Sequence, residues 1–549
     1  MGKRRNSESN FIIQGSILAV TSVICRLIGI LYRIPLTNII GDEGNGYYSC
    51  AFEVYSIMLL LSSYSLPIAV SKLVSARVAK GQRKNAYRIY KGSLIFAGIA
   101  GVTVSLVTYF GADFLSGTLM SQPMSAFALK ILAPTLVLSA IMGVIRGYFQ
   151  GLGTMIPTVF SQIIEQIMNA VVSVVAAYYL YSYGKKLDAL LYTSGYAPAY
   201  GAAGGTLGTG AGVLFGLVFL LLLAMMYKRV INRQIRRDQT RYREEYSEIF
   251  KILILTIIPV ILSTAIYNIN SILDQGLFNK IMVLQGTSSS DTAELWGVFS
   301  GKYKLLTNVP LAIANALSAS TVPTLARALA EYNDRAINRK ISSSIRFTMI
   351  VVIPCAVGFT VIASPILQLL FHDSSVLPAR LLQIGSISTV LYALSTLTNG
   401  ILQGINKMNV PVRNAAISLV IHLAALFVML YFFQWGVYAV VYANILFALL
   451  MCILNAIAIR KSVDYEQEIK RTFIIPSIAA LFMGVAVFLI YFLLFKLVSN
   501  SIAVLLAIGA GSVIYFILLL LLKGISIDDL EHMPKGYLLI NIAEKFHLL

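Results

Sequence analysis

The chain has 549 residues, of which 58% are hydrophobic and only 12% charged, with a formal net charge of +19. So apolar a composition exceeds what a soluble domain can bury, and it excludes an ordinary globular enzyme in favour of a protein solvated by a bilayer. The four cysteines, Cys25, Cys50, Cys355 and Cys452, stand singly in apolar segments without CxxC spacing, so no redox or metal chemistry is expected of them.

A membrane helix needs about 20 mostly apolar residues. The opening "MGKRRNSESN" has the basic start of a signal peptide, but the run behind it is too long and lacks a small-residue cleavage site, so a retained first span is predicted at 11–36. Further spans follow in order at 47–69, 89–112, 125–149, 155–181, 202–227, 251–278, 296–318, 343–371, 379–403, 411–432, 436–459, 473–495 and 501–522. The predicted fold is therefore an all-α integral membrane protein of fourteen transmembrane helices. Beyond the last span, the tail "GISIDDLEHMPKGYLLINIAEKFHLL" reads as a short interfacial helix.

Cytoplasmic loops carry an excess of Lys and Arg. Most of the 43 basic residues fall at the N-terminus and after even-numbered spans, notably in "KLVSARVAKGQRKNAYRIYK" (72–91) and "KRVINRQIRRDQTRYR" (228–243). The opposite loops hold only Lys185, Lys186, Lys280 and Lys496, so both termini are predicted to be cytoplasmic. The basic residues are spread over loops and lack the interleaved aromatics of a nucleic-acid groove, so topology accounts for the charge and no nucleic-acid partner is expected.

A few basic residues lie inside or at the edges of spans. Lys130, Arg146 and Arg380 sit near span ends, where they can snorkel to headgroups. Arg26 and Arg33, in "VICRLIGILYRIP", differ: seven residues apart, they share one helix face two turns apart. An arginine at depth costs several kcal/mol unless it meets water, a counter-ion or an anionic ligand, so the pair implies a hydrated, cationic cavity. Lys302 and Lys304, in "VFSGKYKLLTNVP", add charge from span 8, with Lys304 preferred because the two cannot point the same way. The intramembrane acids are Glu53, Glu165 and Asp274; each reads either as a charge partner for a base or as an ion-coupling group, Asp274 within "YNINSILDQ" being the best candidate for coupling. Arginine forks match phosphate oxygens, so a phosphate or diphosphate headgroup is the simplest guest.

The chain also repeats itself. "GYFQGLGTMIP", from Gly147, resembles "GILQGINKMNVP", from Gly400, and "SARVAKGQRKNA" (75–86) resembles "LARALAEYNDRA" (325–336) at almost the same offset. Both pairs follow topologically equivalent spans. This predicts two six-helix lobes related by a pseudo-two-fold axis along the membrane normal. The expected boundaries are an N-terminal lobe at 1–228, a basic cytoplasmic linker at 229–250, a C-terminal lobe at 251–460, and spans 13 and 14 with the tail at 461–549.

The stretches "ICRLIGILYRIPLTNIIGDEGNGYYS", "LPIAVSKLVSARVAKG" and "IIEQIMNAVVSV", in this order, resemble the multidrug/oligosaccharidyl-lipid/polysaccharide exporter superfamily. Within it, the chain resembles the MurJ-type lipid II flippases and their stage V sporulation protein B-like relatives. The resemblance implies a non-enzymatic flippase in the bacterial plasma membrane. It would carry an undecaprenyl-diphosphate-linked peptidoglycan precursor, lipid II, to the outer leaflet by alternating access, with membrane lipids around it and a monomer as the working unit. Alternatives are a flippase for another undecaprenyl-linked glycan of capsule, teichoic acid or spore cortex, and a multidrug exporter of the superfamily. The first-helix arginine of the family falls on Arg26, the next at or beside Arg33, and the basic residue of span 8 on Lys304. Some members bind sodium through helices 7, 11 and 12. Asp274 suits such a ligand, whereas His422 stands about where Asn or Asp is expected, so sodium, proton and membrane-potential coupling all stay open and no cofactor is otherwise implied.

Overall fold

The computed structural model describes residues 2–240 and 242–524, and every regular element among them is helical. The predicted tail helix lies outside the described residues. Among the described residues, twelve helices are long and apolar enough to cross a membrane. The first of these, Thr21–Ala79, spans two of the predicted segments, and the twelve do not by themselves establish the predicted count of fourteen. The chain divides into two compact units, Met1–Gly301 and Lys302–Leu549. This division falls within predicted span 8 and places 251–301 with the N-terminal unit.

The N-terminal unit begins with α1 (Gly2–Leu59). A loop was expected near 37–46, but helix continues on both sides of a single kink at Gly41 (φ 71°, ψ −176°), a backbone conformation that glycine adopts without Cβ strain. A π-helical turn, Leu60–Tyr64, leads into α2 (Leu66–Ala79), followed by α3 (Arg83–Phe110). Predicted span 4 is two helices, α4 (Ser125–Leu132) and α5 (Thr135–Gly151), because Pro134 cannot donate to the helical ladder.

The next two helices outrun their predicted spans. These are α6 (Ile156–Leu191, 36 residues) and α7 (Tyr196–Arg237, 42 residues). At 1.5 Å per residue both exceed the roughly 30 Å hydrocarbon thickness, so their ends project beyond it. Their backbones touch along a glycine stripe. A Cβ on Gly204, Gly208 or Gly212 would lie 2.6 Å from the Ala176 carbonyl oxygen, 2.0 Å from Ser173 Oγ and 2.5 Å from the Glu165 carbonyl oxygen, respectively.

Residues 238–240 and 242–245 form a strap against the start of α3. Asn85, fully buried, donates to the Tyr242 carbonyl (3.1 Å) and accepts from the Glu244 amide (3.2 Å). Arg77 forks onto the Glu244 carboxylate (2.8 and 3.2 Å), and Arg88 donates to the Glu244 carbonyl (2.8 Å). The unit closes with α8 (Tyr246–Leu284), opened by a Glu245/Glu248 capping box, and α9 (Ser289–Val298).

The C-terminal unit contains α10 (Lys304–Ala330), α11 (Asp334–Val361), α12 (Ala363–Phe371), α13 (Val376–Gly404), α14 (Asn409–Tyr431), α15 (Val437–Val463), α16 (Ile475–Phe495) and α17 (Asn500–Leu521). A buried amide network ties three of them together. Asn455 of α15 donates to Thr398 Oγ1 (3.0 Å) and Asn399 Oδ1 (2.8 Å) of α13, and it accepts from Asn414 of α14 (2.9 Å).

The echoed turns do the same work in each unit. Gly147 and Gly151 press α5 onto α2, their added Cβ atoms falling 2.7 Å from the Pro67 carbonyl oxygen and 2.6 Å from Val74 Cβ. Gly400 and Gly404 press α13 onto α10, at 2.1 Å from Ser318 Oγ and 3.0 Å from Leu325 Cβ.

Candidate functional site

In the N-terminal unit, Arg26 and Arg33 stand on one face of α1, about 10 Å apart along its axis. Arg26 is exposed. Arg33 is half-buried, its guanidinium 4.3 Å from the centroid of the Tyr48 ring, which is itself almost fully buried and stacked on Phe52. Beside them, Tyr32 accepts from Asn169 of α6 (3.4 Å). Among the described residues, neither arginine forms an ion pair with an acid.

The acids that the sequence offers as partners are engaged elsewhere. Glu165 is bridged by Arg146 of α5 at 2.7 Å, and the same guanidinium donates to Ser161 at 2.9 Å. Arg146 therefore does not snorkel: it crosses from α5 to α6. Glu53 accepts from Ser271 of α8 at 2.6 Å and borders an apolar cavity of ≈ 250 Å³ between α1 and α8. Lys130 is likewise held by Asp113 at 2.8 Å. Asp274, on α8, is buried next to Gln275 in the core of this unit.

In the C-terminal unit, Lys302 is only 5% exposed and bonded to Asp373 at 2.6 Å. Burial opposes ionisation of Asp373, but the hydrogen bonds from Lys302 and Ser375 and the lysine charge outweigh it, so the carboxyl is held below its usual range. Lys302 is thus a buried, neutralised cation, and sequence reasoning overlooked Asp373 because it lies 71 residues away in a short connection. Lys304, half-buried, opens α10.

His422 is fully buried, its Nδ1 2.8 Å from the Ala443 carbonyl oxygen and its ring edge-on to Phe447. Sodium in transporters is held mainly by oxygen ligands, and His422 supplies none from its side chain. Among the described residues no group of three His, Cys, Asp or Glu is placed to hold a metal ion. His422 therefore offers sodium no side-chain oxygen.

Sequence reasoning missed two features of this site. Tyr48 as the platform for Arg33 is carried by "GNGYYS" yet depends on the Gly41 kink. Gln166 and Asn169 of α6 face α1 because Gly29 lets the helices approach, a Cβ there lying 3.2 Å from Gln166 Nε2.

Comparison with known proteins agrees with this architecture. A family model described as polysaccharide biosynthesis protein matches residues 12–329, and a second, MatE, matches residues 305–428. The chain is 23% identical to the lipid II flippase MurJ of Bacillus subtilis (strain 168), over 92% of this chain and 94% of that protein. It is 25% identical to stage V sporulation protein B of the same organism, but over only about a quarter of either chain. Among solved structures, a lipid II flippase MurJ in an inward closed conformation superposes with a TM-score of 0.65 at 13% identity, covering 91% of this chain and 97% of that one. An inward-facing multidrug resistance MATE family transporter of the MOP superfamily superposes with a TM-score of 0.61 at 14% identity, covering 82% and 98%. The fold is therefore the one shared by these transporters, the chain is a multi-pass membrane protein, and with a model matched over more than half its length it belongs to the polysaccharide biosynthesis protein family.

Proposed function

We propose that this chain is a flippase for an undecaprenyl-diphosphate-linked glycan, moving lipid II from the cytoplasmic to the outer leaflet of the bacterial plasma membrane by alternating access, with both termini in the cytoplasm. The observation that carries this reading is the pair Arg26 and Arg33, aligned on α1 while Glu165 is bridged by Arg146. Two guanidinium groups without a carboxylate partner among the described residues favour an anionic guest, and a diphosphate offers each fork two oxygens. The glycan head would sit against α1 with the prenyl chain left in the bilayer. Asp274 is the proposed coupling group. Translocation needs no bond to be made or broken, and the named relatives are a flippase and a transporter rather than enzymes.

A second reading, export of organic cations, is favoured by the MatE match and the MATE-like fold. Uncompensated arginines would repel such cargo, which places it second. The test is depletion of the essential lipid II flippase in a bacterial host, with complementation by the wild type and by Arg26→Ala. Rescue by the wild type alone is expected. Rescue by both removes the arginine assignment, and failure of membrane-inserted wild type points to another lipid-linked glycan.

A further inference from the structure

Away from the arginines, the N-terminal unit has a second cavity, of ≈ 170 Å³, where α3, α5 and α7 meet. Its wall is aromatic: Tyr90 stacks on Tyr148 at 4.4 Å, Tyr87 meets Tyr148 edge-on at 6.5 Å, and Phe149 completes the surface. Lys228 and Asn232, exposed and one helical turn apart on α7, stand over it. The hydroxyls of Tyr87, Tyr90 and Tyr148 make no hydrogen bond among the described residues, although Tyr148 is almost fully buried. The cavity thus joins an apolar slot to an ammonium, an amide and three unengaged phenol donors. It also lies at the Lys/Arg-rich ends of these helices, with Lys91 over the Tyr87 ring at 5.0 Å.

That combination fits neither a buried core nor a water channel. Aromatic rings with polar tips are at home where hydrocarbon meets headgroups, and clustered basic residues at helix ends attract anionic lipid. We propose that this cavity is a binding site for one anionic glycerophospholipid of the inner leaflet, an acyl chain lying on Tyr90, Tyr148 and Phe149 and the headgroup phosphate held by Lys228 and Asn232. The inner-leaflet placement rests on the cytoplasmic orientation proposed above. The site lies on residues distinct from Arg26 and Arg33, and a lipid held there bridges α7 to α3 and α5.

The test uses the full chain purified in detergent. Dioleoylphosphatidylglycerol is expected to raise the unfolding midpoint by about 2–4 °C more than dioleoylphosphatidylcholine, and native mass spectrometry should retain one phosphatidylglycerol. Lys228→Ala with Asn232→Ala, both exposed, should leave the lipid-free midpoint unchanged and lower that retention at least fivefold, while Arg236→Ala on the same helix should not. Equal shifts with both lipids, retention in the double variant, or an equal loss in Arg236→Ala overturns the proposal. So does Lys228-dependent binding of undecaprenyl diphosphate in preference to phosphatidylglycerol, which would assign the cavity to the cargo. Binding is read without transport, so a failed complementation with intact lipid selectivity would reject only the lipid II assignment.

Discussion

The guanidinium of Arg146 lies 2.7 Å from the carboxylate of Glu165, joining α5 to α6 within the N-terminal unit. Both side chains are largely shielded, 12% and 28% exposed, so each depends on the other for compensation. Breaking such a pair costs more than the pair contributes, because one charge is left behind. Arg146→Leu alone should destabilise by about 1–3 kcal/mol after allowing for partial exposure. Arg146→Leu combined with Glu165→Leu should recover much of that loss. Thermal unfolding of the four proteins of this cycle checks it, and additive losses would show that the two residues are not coupled.

Arg26 and Arg33 are expected to differ in their response to mutation. Arg26→Ala removes an exposed fork and should weaken binding of undecaprenyl diphosphate roughly 10- to 100-fold with little effect on stability. Arg33 also rests on Tyr48. Arg33→Ala should therefore weaken binding and also cost about 0.5–2 kcal/mol of stability. Tyr48→Leu should reproduce the stability loss. Equilibrium binding and unfolding, measured on the same preparations, separate the two contributions.

The Lys302–Asp373 pair gives the C-terminal unit an acid-sensitive contact. The folded carboxyl titrates below the usual aspartate value of 3.8, so its contribution is fully present above that pH and is lost as pH falls through the lower, folded value. Asp373→Asn should lower the unfolding midpoint at pH 7, and the gap to the wild type should shrink below about pH 3.8. A gap independent of pH would show that the ionised carboxylate is not what stabilises.

Asn85 satisfies two backbone groups of the strap formed by 238–240 and 242–245 from a fully buried position. Asn85→Ala leaves both orphaned and should cost about 2–3 kcal/mol. Limited proteolysis should then cut within 238–245, whereas the wild-type strap resists. Asp238 adds a second hold, accepting from the Lys84 amide at 2.6 Å.

Glycines should divide into two classes. Gly297 packs so closely that a Cβ would lie 1.7 Å from the Asp42 carbonyl oxygen, and Gly400 would place one 2.1 Å from Ser318 Oγ. Gly297→Ala should cost at least about 2 kcal/mol, because backbone must move. Gly400→Ala should cost less, since a serine rotamer can yield. Gly98 of α3 has open space, and Gly98→Ala should be neutral or stabilising by up to about 1 kcal/mol.

The sequence by itself determined the helical class, the places of most spans and the alignment of Arg26 with Arg33. These follow from local rules: backbone groups in lipid must bond within their own helix, and a seven-residue spacing returns to one face whatever the helix touches. The echoed "QG" turns were equally legible, because a glycine that brings two backbones together leaves the same mark in both units. Tertiary structure decided the charge partners. Glu165 was open to either a structural or a coupling role until α5 brought Arg146 to it, and Lys302 read as a cavity cation until Asp373 closed on it. Partner choice depends on how each helix is rotated and how far it slides along its neighbour, and a helix tolerates any rotation without changing its own pattern. The kink at Gly41 shows the same limit at the backbone: a glycine permits the positive φ, but only the packing of both halves of α1 makes the chain use it there.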